Sequence, residues 1–170
     1  SNPVAPTRVF QKSTPLKIKK THKRHTFCLI LNKYLVYNCL MIVSKNEAQS
    51  RIQINTLLAQ SGWVLDADSE QHNVEVEYRT PIGKPADYVL MDSKGFPLCV
   101  LEAKNFDTDP LSAKEQARNY ANALDCRFII LSNGRDHYFW DIETGNPNTI
   151  GEFPQQENLE ERKVVFNPHQ

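Results

Sequence analysis

The feature that most constrains the fold is a pair of apolar segments, ADYVLM (86–91) and PLCVLEAK (97–104), separated by the turn-forming residues DSKGF. Short apolar segments bounded by Gly and Pro are typical of strands joined by a hairpin. A turn centred in the middle of DSKGF places Asp87 opposite Glu102. The sequence therefore predicts an antiparallel hairpin with two facing carboxylates at the end away from its turn.

One face of this hairpin is expected to carry its charges at one end. Because successive side chains of a strand alternate, Asp87 shares a face with Leu98, Val100, Glu102 and Lys104. Two carboxylates at that distance repel each other unless a cation lies between them. Oxygen ligands suit Mg²⁺ or Mn²⁺, and a nearby lysine can orient a water molecule or stabilise phosphate charge. The pattern predicts metal-assisted hydrolysis of a phosphodiester bond.

The rest of the organised chain predicts one α/β domain, with a central sheet flanked by helices. Apolar periodicity, capping residues and glycine turns mark the element boundaries. Asp109 followed by Pro110 is typical of a helix start. The predicted order is a helix over about 45–60, strands within 73–80, 86–91 and 97–104, a helix from Asp109-Pro110 to about 124, and strands within 127–134 and 136–145.

Both ends of the chain differ from this body. Residues 1–40 contain eight of the 20 basic residues and no Asp or Glu. Residues 41–170 therefore contain 12 basic and 20 acidic residues, a formal charge of −8. Three interpretations of 1–43 stay open: a targeting signal, a non-native or disordered segment before a start at Met41, and a basic arm that reaches DNA. Residues 148–170 show weak periodicity and are expected to be a linker.

The cysteines indicate a reducing environment. None of the four forms a CxxC pair, and Cys99 and Cys126 lie in apolar segments. Buried, reduced thiols are typical of a cytoplasmic protein, and no membrane partner is expected.

The hairpin resembles a known nuclease motif. ADYVL followed by VLEAK is similar to the signature of the PD-(D/E)xK nuclease superfamily, with Asp87, Glu102 and Lys104 at its three positions. The resemblance implies that these three residues are catalytic. It also implies that Asp87 and Glu102 bind the metal, and we expect the backbone carbonyl of Ala103 to assist them. The preceding proline of the motif is displaced, because Pro85 lies two residues before Asp87.

The helix after the hairpin carries a second motif. Its QARNY segment is similar to the QxxxY motif of the RecB-like branch, whose Gln and Tyr approach the active site and the DNA strand. Here these residues are Gln116 and Tyr120, which are four apart and so share one helical face. A polar helix position and a packing aromatic are the alternative interpretation.

The segments together resemble the N-terminal endonuclease domain of the R subunit of type I restriction–modification enzymes, over about residues 44–150. The resemblance implies a restriction-endonuclease-like fold with a central mixed sheet, and a nuclease domain over 44–147. It also implies type I site-specific deoxyribonuclease activity with Mg²⁺, replaceable by Mn²⁺. Its partners would be double-stranded DNA and the modification and specificity subunits. ATP would serve only a motor domain, towards which 148–170 would lead, because this chain has no GK[ST] phosphate loop.

Three further residues are weaker candidates. Glu47 could reach the metal or only cap its helix, and Arg51 could support that acid, contact phosphate or be a solvated helix charge. Lys84 could touch the DNA backbone or be an ordinary turn lysine.

Two rival functions also stay open. One is a stand-alone RecB-like or structure-specific nuclease, and another is a catalytically inactive nucleic-acid-binding or assembly module. A glycosidase is disfavoured by Lys104 and by the lack of an aromatic sugar platform near the acids.

Overall fold

The computed structural model describes residues 36, 41 and 45–165. The interpretations of 1–43 therefore fall almost wholly outside the described residues, as does Ser44, which would cap the first helix. Within the described part of the chain, none of the helices combines the length and the apolar character needed to cross a lipid bilayer.

The described elements follow the predicted order. The first helix, α1, covers residues 45–60 and packs through Ser50, Ile54 and Leu58, which recur every fourth residue and are buried. Asp109 caps the second helical segment by accepting a hydrogen bond from the Leu111 N–H at 2.9 Å. The remaining elements are β1 (Val74–Arg79), β2 (Pro85–Met91), β3 (Pro97–Ala103), a 3₁₀ helix (Pro110–Ala113), α2 (Lys114–Ala123), β4 (Phe128–Ser132), β5 (His137–Asp141), β6 (Asn148–Thr149) and α3 (Gln156–Val165).

The six strands form one mixed sheet in the order β1-β2-β3-β4-β5-β6. The β3–β4 pair is parallel, whereas the other neighbouring pairs are antiparallel. The parallel pair brings the carboxyl ends of β3 and β4 to the same edge, where Ala103 lies opposite Ser132. The predicted fold class, an α/β fold with a mixed central sheet flanked by helices, is confirmed.

Two buried clusters cover the two faces of the sheet. The first cluster joins α1 to the sheet through residues such as Ile54, Leu58 and Leu101. The second cluster joins α2 to the sheet through residues such as Ala117 and Ile129. Because each helix is fixed by its own cluster, side chains at the β3 edge can be approached by α1 from one side and by α2 from the other.

The hairpin register is confirmed over most of its length. Leu90 pairs with Cys99 and Tyr88 with Leu101, so the same register puts Asp87 opposite Glu102. An irregularity at Leu90/Met91 shifts the pairing near the turn. This shift explains one wrong expectation: Leu98 belongs to the first cluster and not to the face of Val100.

The strand pair β1–β2 also departs from simple alternation. Val74 belongs to the first cluster but Tyr78 packs against the second, although both have the same parity. Glu77, which lies between them, has a φ of 51°. This left-handed conformation is uncommon for a residue with a side chain and rotates the strand at that point. Val76, before this point, still pairs with Tyr88 of the first cluster but is 45% exposed.

The segment after residue 147 differs from the expected linker. It contains β6 and α3, and Phe153 and Leu159 belong to the first cluster. The Trp63 indole N–H also donates to the Pro154 carbonyl at 2.8 Å. Weak periodicity concealed this packing because only two side chains are buried over a long, irregular stretch. Residues up to α3 are therefore part of the packed domain.

Candidate active site

A cleft of about 510 Å³ opens at the carboxyl end of β3, between α1 and the loop that follows β3. Polar and charged residues from four parts of the chain meet there. The lining residues are Glu47, Ser50, Arg51, Asp87, Glu102, Ala103, Lys104, Asn105, Thr108 and Ser112.

Asp87 enters the cleft from β2 and both of its carboxylate oxygens have partners. Its Oδ2 accepts a hydrogen bond from the Ala103 N–H at 2.9 Å, which ties β2 to the last residue of β3. Its Oδ1 lies 2.9 Å from Arg51 Nη2. The side chain is only 18% exposed, so the pair with Arg51 is partly shielded from water.

Glu102 is the most buried acid of the cleft, with 3% of its surface exposed. Its Oε1 accepts a hydrogen bond from Gln116 Nε2 at 2.6 Å and lies 4.0 Å from Lys104 Nζ. Its Oε2 is buried and has no hydrogen-bond partner among the described residues. Burial, followed by the charge of Asp87, raises the pKa of Glu102 to about 8, although the charge of Lys104 opposes this shift.

The backbone of Lys104 is fixed on both sides. Its N–H donates to the Ser132 carbonyl at 2.8 Å, and its own carbonyl accepts from Ser50 Oγ at 2.6 Å. The side chain is 25% exposed. The backbone of Lys104 is therefore held in place, and its side chain extends so that the ammonium group lies beside Glu102.

The second predicted motif contacts the site through Gln116. Its Nε2 donates to Glu102 and also to the Tyr120 hydroxyl, at 3.2 Å. Tyr120 is 3% exposed and packs in the second cluster. Gln116 thus reaches the acid directly, whereas Tyr120 reaches it only through Gln116.

The three other candidates differ in their contacts with the site. Arg51 is bound to Asp87, which disagrees with its interpretation as a solvated helix charge. Glu47 lines the cleft, is 57% exposed and lies 4.0 Å from Arg51 Nε. Lys84 lies in the exposed β1–β2 turn and is not among the described residues that line the cleft.

Residues 53–155, more than half of the chain, match the sequence family described as type I restriction enzyme R protein N terminus (HSDR_N). The chain belongs to this family. A solved fragment assigned to the HsdR subunit of a type I restriction enzyme from Vibrio vulnificus YJ016 is similar to it, with a TM-score of 0.62 and 26% sequence identity. The match covers 71% of this chain and 25% of that HsdR chain. No curated protein sequence matches this chain.

The sequence predicts a divalent metal ion, and the chemistry of the cleft residues can be compared with that prediction. A buried Glu102 carboxylate whose Oε2 has no partner among the described residues is costly as an anion, and either a proton or a bound cation removes that cost. The described residues contain no group of three His, Cys, Asp or Glu side chains placed to hold a metal. Mg²⁺ needs only one or two carboxylates because it keeps several of its waters. The pair Asp87 and Glu102 therefore suits Mg²⁺ better than a metal that requires a full protein cage.

Sequence reasoning missed two residues of this R-protein site, Ser50 and Glu77. Glu77 Oε1 lies 2.8 Å from Arg51 Nη2, so the same nitrogen contacts Glu77 and Asp87. A signal for Glu77 was present, since a β1–β2 hairpin centred on Ile82 in PIGKP puts Glu77 opposite Asp87. The observed register agrees, pairing Val76 with Tyr88 on one side of this position. Ser50 carries no sequence signal, because its contact is to a backbone carbonyl 54 residues away.

Proposed function

We propose that this domain is the divalent-metal-dependent endonuclease domain of a type I restriction enzyme R subunit and hydrolyses phosphodiester bonds in double-stranded DNA. The observation that carries the proposal is the convergence of Asp87, Glu102 and Lys104 at the end of β3. Two acids and a lysine could also form a structural ion pair on a protein surface. The burial of Glu102 and the unpartnered Oε2 favour a cation site instead.

In the proposed mechanism, Asp87, Glu102 and the backbone carbonyl of Ala103 would hold the metal ion. When bound, Mg²⁺ would stabilise negative charge on the phosphate and lower the pKa of a bound water. Gln116 holds Oε1 of Glu102 and so leaves Oε2 as the oxygen available to bind. Lys104 directs its ammonium group at the nucleophilic water or the scissile phosphate, where a fixed positive charge stabilises charge that develops in the transition state.

The charge of the domain suggests how it meets its substrate. The formal charge of −8 on residues 41–170 opposes tight binding to DNA by bulk attraction. We infer that other parts of the enzyme deliver the DNA, with modification and specificity subunits as partners and ATP used only by a motor domain. Mg²⁺ is the proposed cofactor and Mn²⁺ its substitute.

Cleavage by the assembled restriction enzyme that carries this domain tests the proposal. Lys104→Ala should reduce DNA cleavage by about a hundredfold or more, because the missing charge acts on the transition state. The same substitution should leave Mn²⁺ binding to the domain intact, since the carboxylates remain.

Lys94→Ala is the matched control, because Lys94 is an exposed lysine in the β2–β3 turn. This variant should cleave DNA at the parent rate. Cleavage by Lys104→Ala at the parent rate would refute the nuclease mechanism. Replacing Mg²⁺ with Ca²⁺ should also stop cleavage by the parent enzyme.

A further inference from the structure

Arg51 occupies one carboxylate oxygen of Asp87, an acid of the proposed metal site. Its Nη2 lies 2.9 Å from Asp87 Oδ1, and the other oxygen of Asp87 accepts the Ala103 N–H. A guanidinium and a divalent cation on the same carboxylate repel each other, so each weakens the binding of the other. Arg51 in its observed position therefore opposes the binding of a cation at Asp87.

Glu77 offers Arg51 a second partner at the same nitrogen. Arg51 Nη2 lies 2.8 Å from Glu77 Oε1, and Glu77 is 53% exposed whereas Asp87 is 18% exposed. A small shift of the guanidinium towards Glu77 breaks one ion pair and keeps the other. The centroid of the Tyr88 ring lies 5.9 Å from Arg51 Cζ, so a cation–π interaction with this ring can stabilise the guanidinium during the shift.

The backbone of Glu77 is strained in the place where this contact is made. Its φ of 51° lies in the left-handed region, which a residue with a side chain adopts at a cost in free energy. Such conformations cluster at functional sites, because the surrounding structure must hold them in place. The β1–β2 register puts Glu77 opposite Asp87, so the strained residue faces the acid that Arg51 occupies.

We propose that Arg51 competes with the metal ion for Asp87, and that Glu77 is the positioning residue that receives Arg51 when a metal ion binds. This inference rests on the proposed function, since it assumes a metal site at Asp87 and Glu102. Glu77 acts through Arg51 and touches neither metal nor substrate. Arg51 thereby keeps Asp87 neutralised until a divalent cation replaces it.

The two residues should have opposite effects on metal affinity. Arg51→Met removes the competing charge, so Mn²⁺ should bind roughly tenfold more tightly, as expected for removing a charge in direct contact with a ligand. Glu77→Gln removes the alternative partner, so Arg51 stays on Asp87 and Mn²⁺ should bind several-fold more weakly. Arg51→Lys retains a positive charge and should stay close to the parent in affinity.

A double-mutant cycle measured by calorimetric titration of Mn²⁺ separates this mechanism from simple charge effects. If Glu77 acts through Arg51, Glu77→Gln should have no effect in the Arg51→Met background. If Glu77 attracts the metal by its own charge, the weakening should persist there, and that result overturns the inference. Circular dichroism should first verify folding, with Arg51→Gln as a second uncharged variant.

Glu75→Gln is the matched control, because Glu75 lies two residues away on the same strand and is similarly exposed, at 47%. It should bind Mn²⁺ within about twofold of the parent, since its charge is not coupled to Arg51. If the parent chain binds Mn²⁺ and Arg51→Met binds it with the same affinity, this inference is overturned but the proposed function is not. A parent chain that binds no Mn²⁺ overturns the proposed function, and this inference with it.

Discussion

At the scale of single residues, Glu102 links burial to the chemistry of the site. Its ordinary pKa is 4.5, and burial together with Asp87 raises it to about 8. Between these values the folded chain holds a proton that the unfolded chain has released. Unfolding therefore releases a proton in this window, and the contribution of Glu102 to stability falls as pH rises.

This sign gives a prediction for the chain without added metal. From pH 5 to pH 8 its melting temperature should fall relative to that of Glu102→Gln, because Gln resembles the protonated acid and cannot ionise. The comparison is needed because the lowered pKa of His137 acts in the opposite direction. Thermal unfolding of both proteins at several pH values measures the difference. An identical pH dependence in the two proteins would show that the pKa of Glu102 is not raised.

A bound metal ion should stabilise the folded chain more as the pH rises, opposite to the pH dependence of Glu102 without metal. A carboxylate must lose its proton to bind a metal ion, so affinity rises with pH until the acid is ionised. Added Mg²⁺ should therefore raise the melting temperature more at pH 8 than at pH 6. Equal stabilisation at both pH values would mean that Glu102 releases no proton when the metal binds.

At the scale of secondary-structure elements, the turn between β4 and β5 sets the position of α1 over the cleft. Gly134 has a φ of 86°, and a Cβ at this residue would lie 3.0 Å from the Ser50 carbonyl oxygen and 3.1 Å from Gln53 Cβ. Ser50 in turn binds the Lys104 carbonyl. The close approach of this turn to α1 therefore supports the backbone from which Lys104 extends.

Gly134→Ala should destabilise the domain by roughly 2 kcal/mol or more, because it combines an unfavourable backbone conformation with a clash. Gly95→Ala is the control, since Gly95 has a similar φ of 81° but open space around its Cβ position. It should cost only about 1 kcal/mol. Urea unfolding of both variants measures the two losses, and equal losses would argue against close packing of the turn on α1.

At the scale of the whole molecule, the core extends beyond the segments that show clear patterning. Leu159 in α3 is fully buried, and Phe153 is 4% exposed. Leu159→Ala should reduce the free energy of unfolding by about 2–5 kcal/mol, whereas Glu161→Ala, at an exposed position of the same helix, should change it by less than about 0.5 kcal/mol. Chemical denaturation tests both. If Leu159→Ala leaves the free energy of unfolding unchanged, this segment is a linker, as the sequence predicted.

Some features of the fold and the site were predictable from the sequence and others were not. The register that brings Asp87 opposite Glu102 was predictable, because two apolar strands and a short turn leave few pairings. Membership of the R-protein family was predictable from the ordered motifs and is confirmed. The packing of Leu159 was not predictable from the sequence, because it depends on contacts with residues that are distant along the chain. The link between Glu77 and Arg51 was not recognised either, although the β1–β2 register carried a signal for Glu77, and the left-handed conformation of Glu77 inside a strand has no sequence signal.

Calorimetric titration of Mn²⁺ into the parent chain and its Asp87→Ala variant shows directly whether Asp87 and Glu102 form a metal site. Asp92→Ala is the control, because Asp92 lies in the β2–β3 turn, where its carboxylate accepts backbone N–H groups. We predict binding by the parent and by Asp92→Ala, and loss of measurable binding in Asp87→Ala. If Asp87→Ala binds Mn²⁺ as tightly as the parent does, the two acids are not a metal site and the proposed mechanism is wrong.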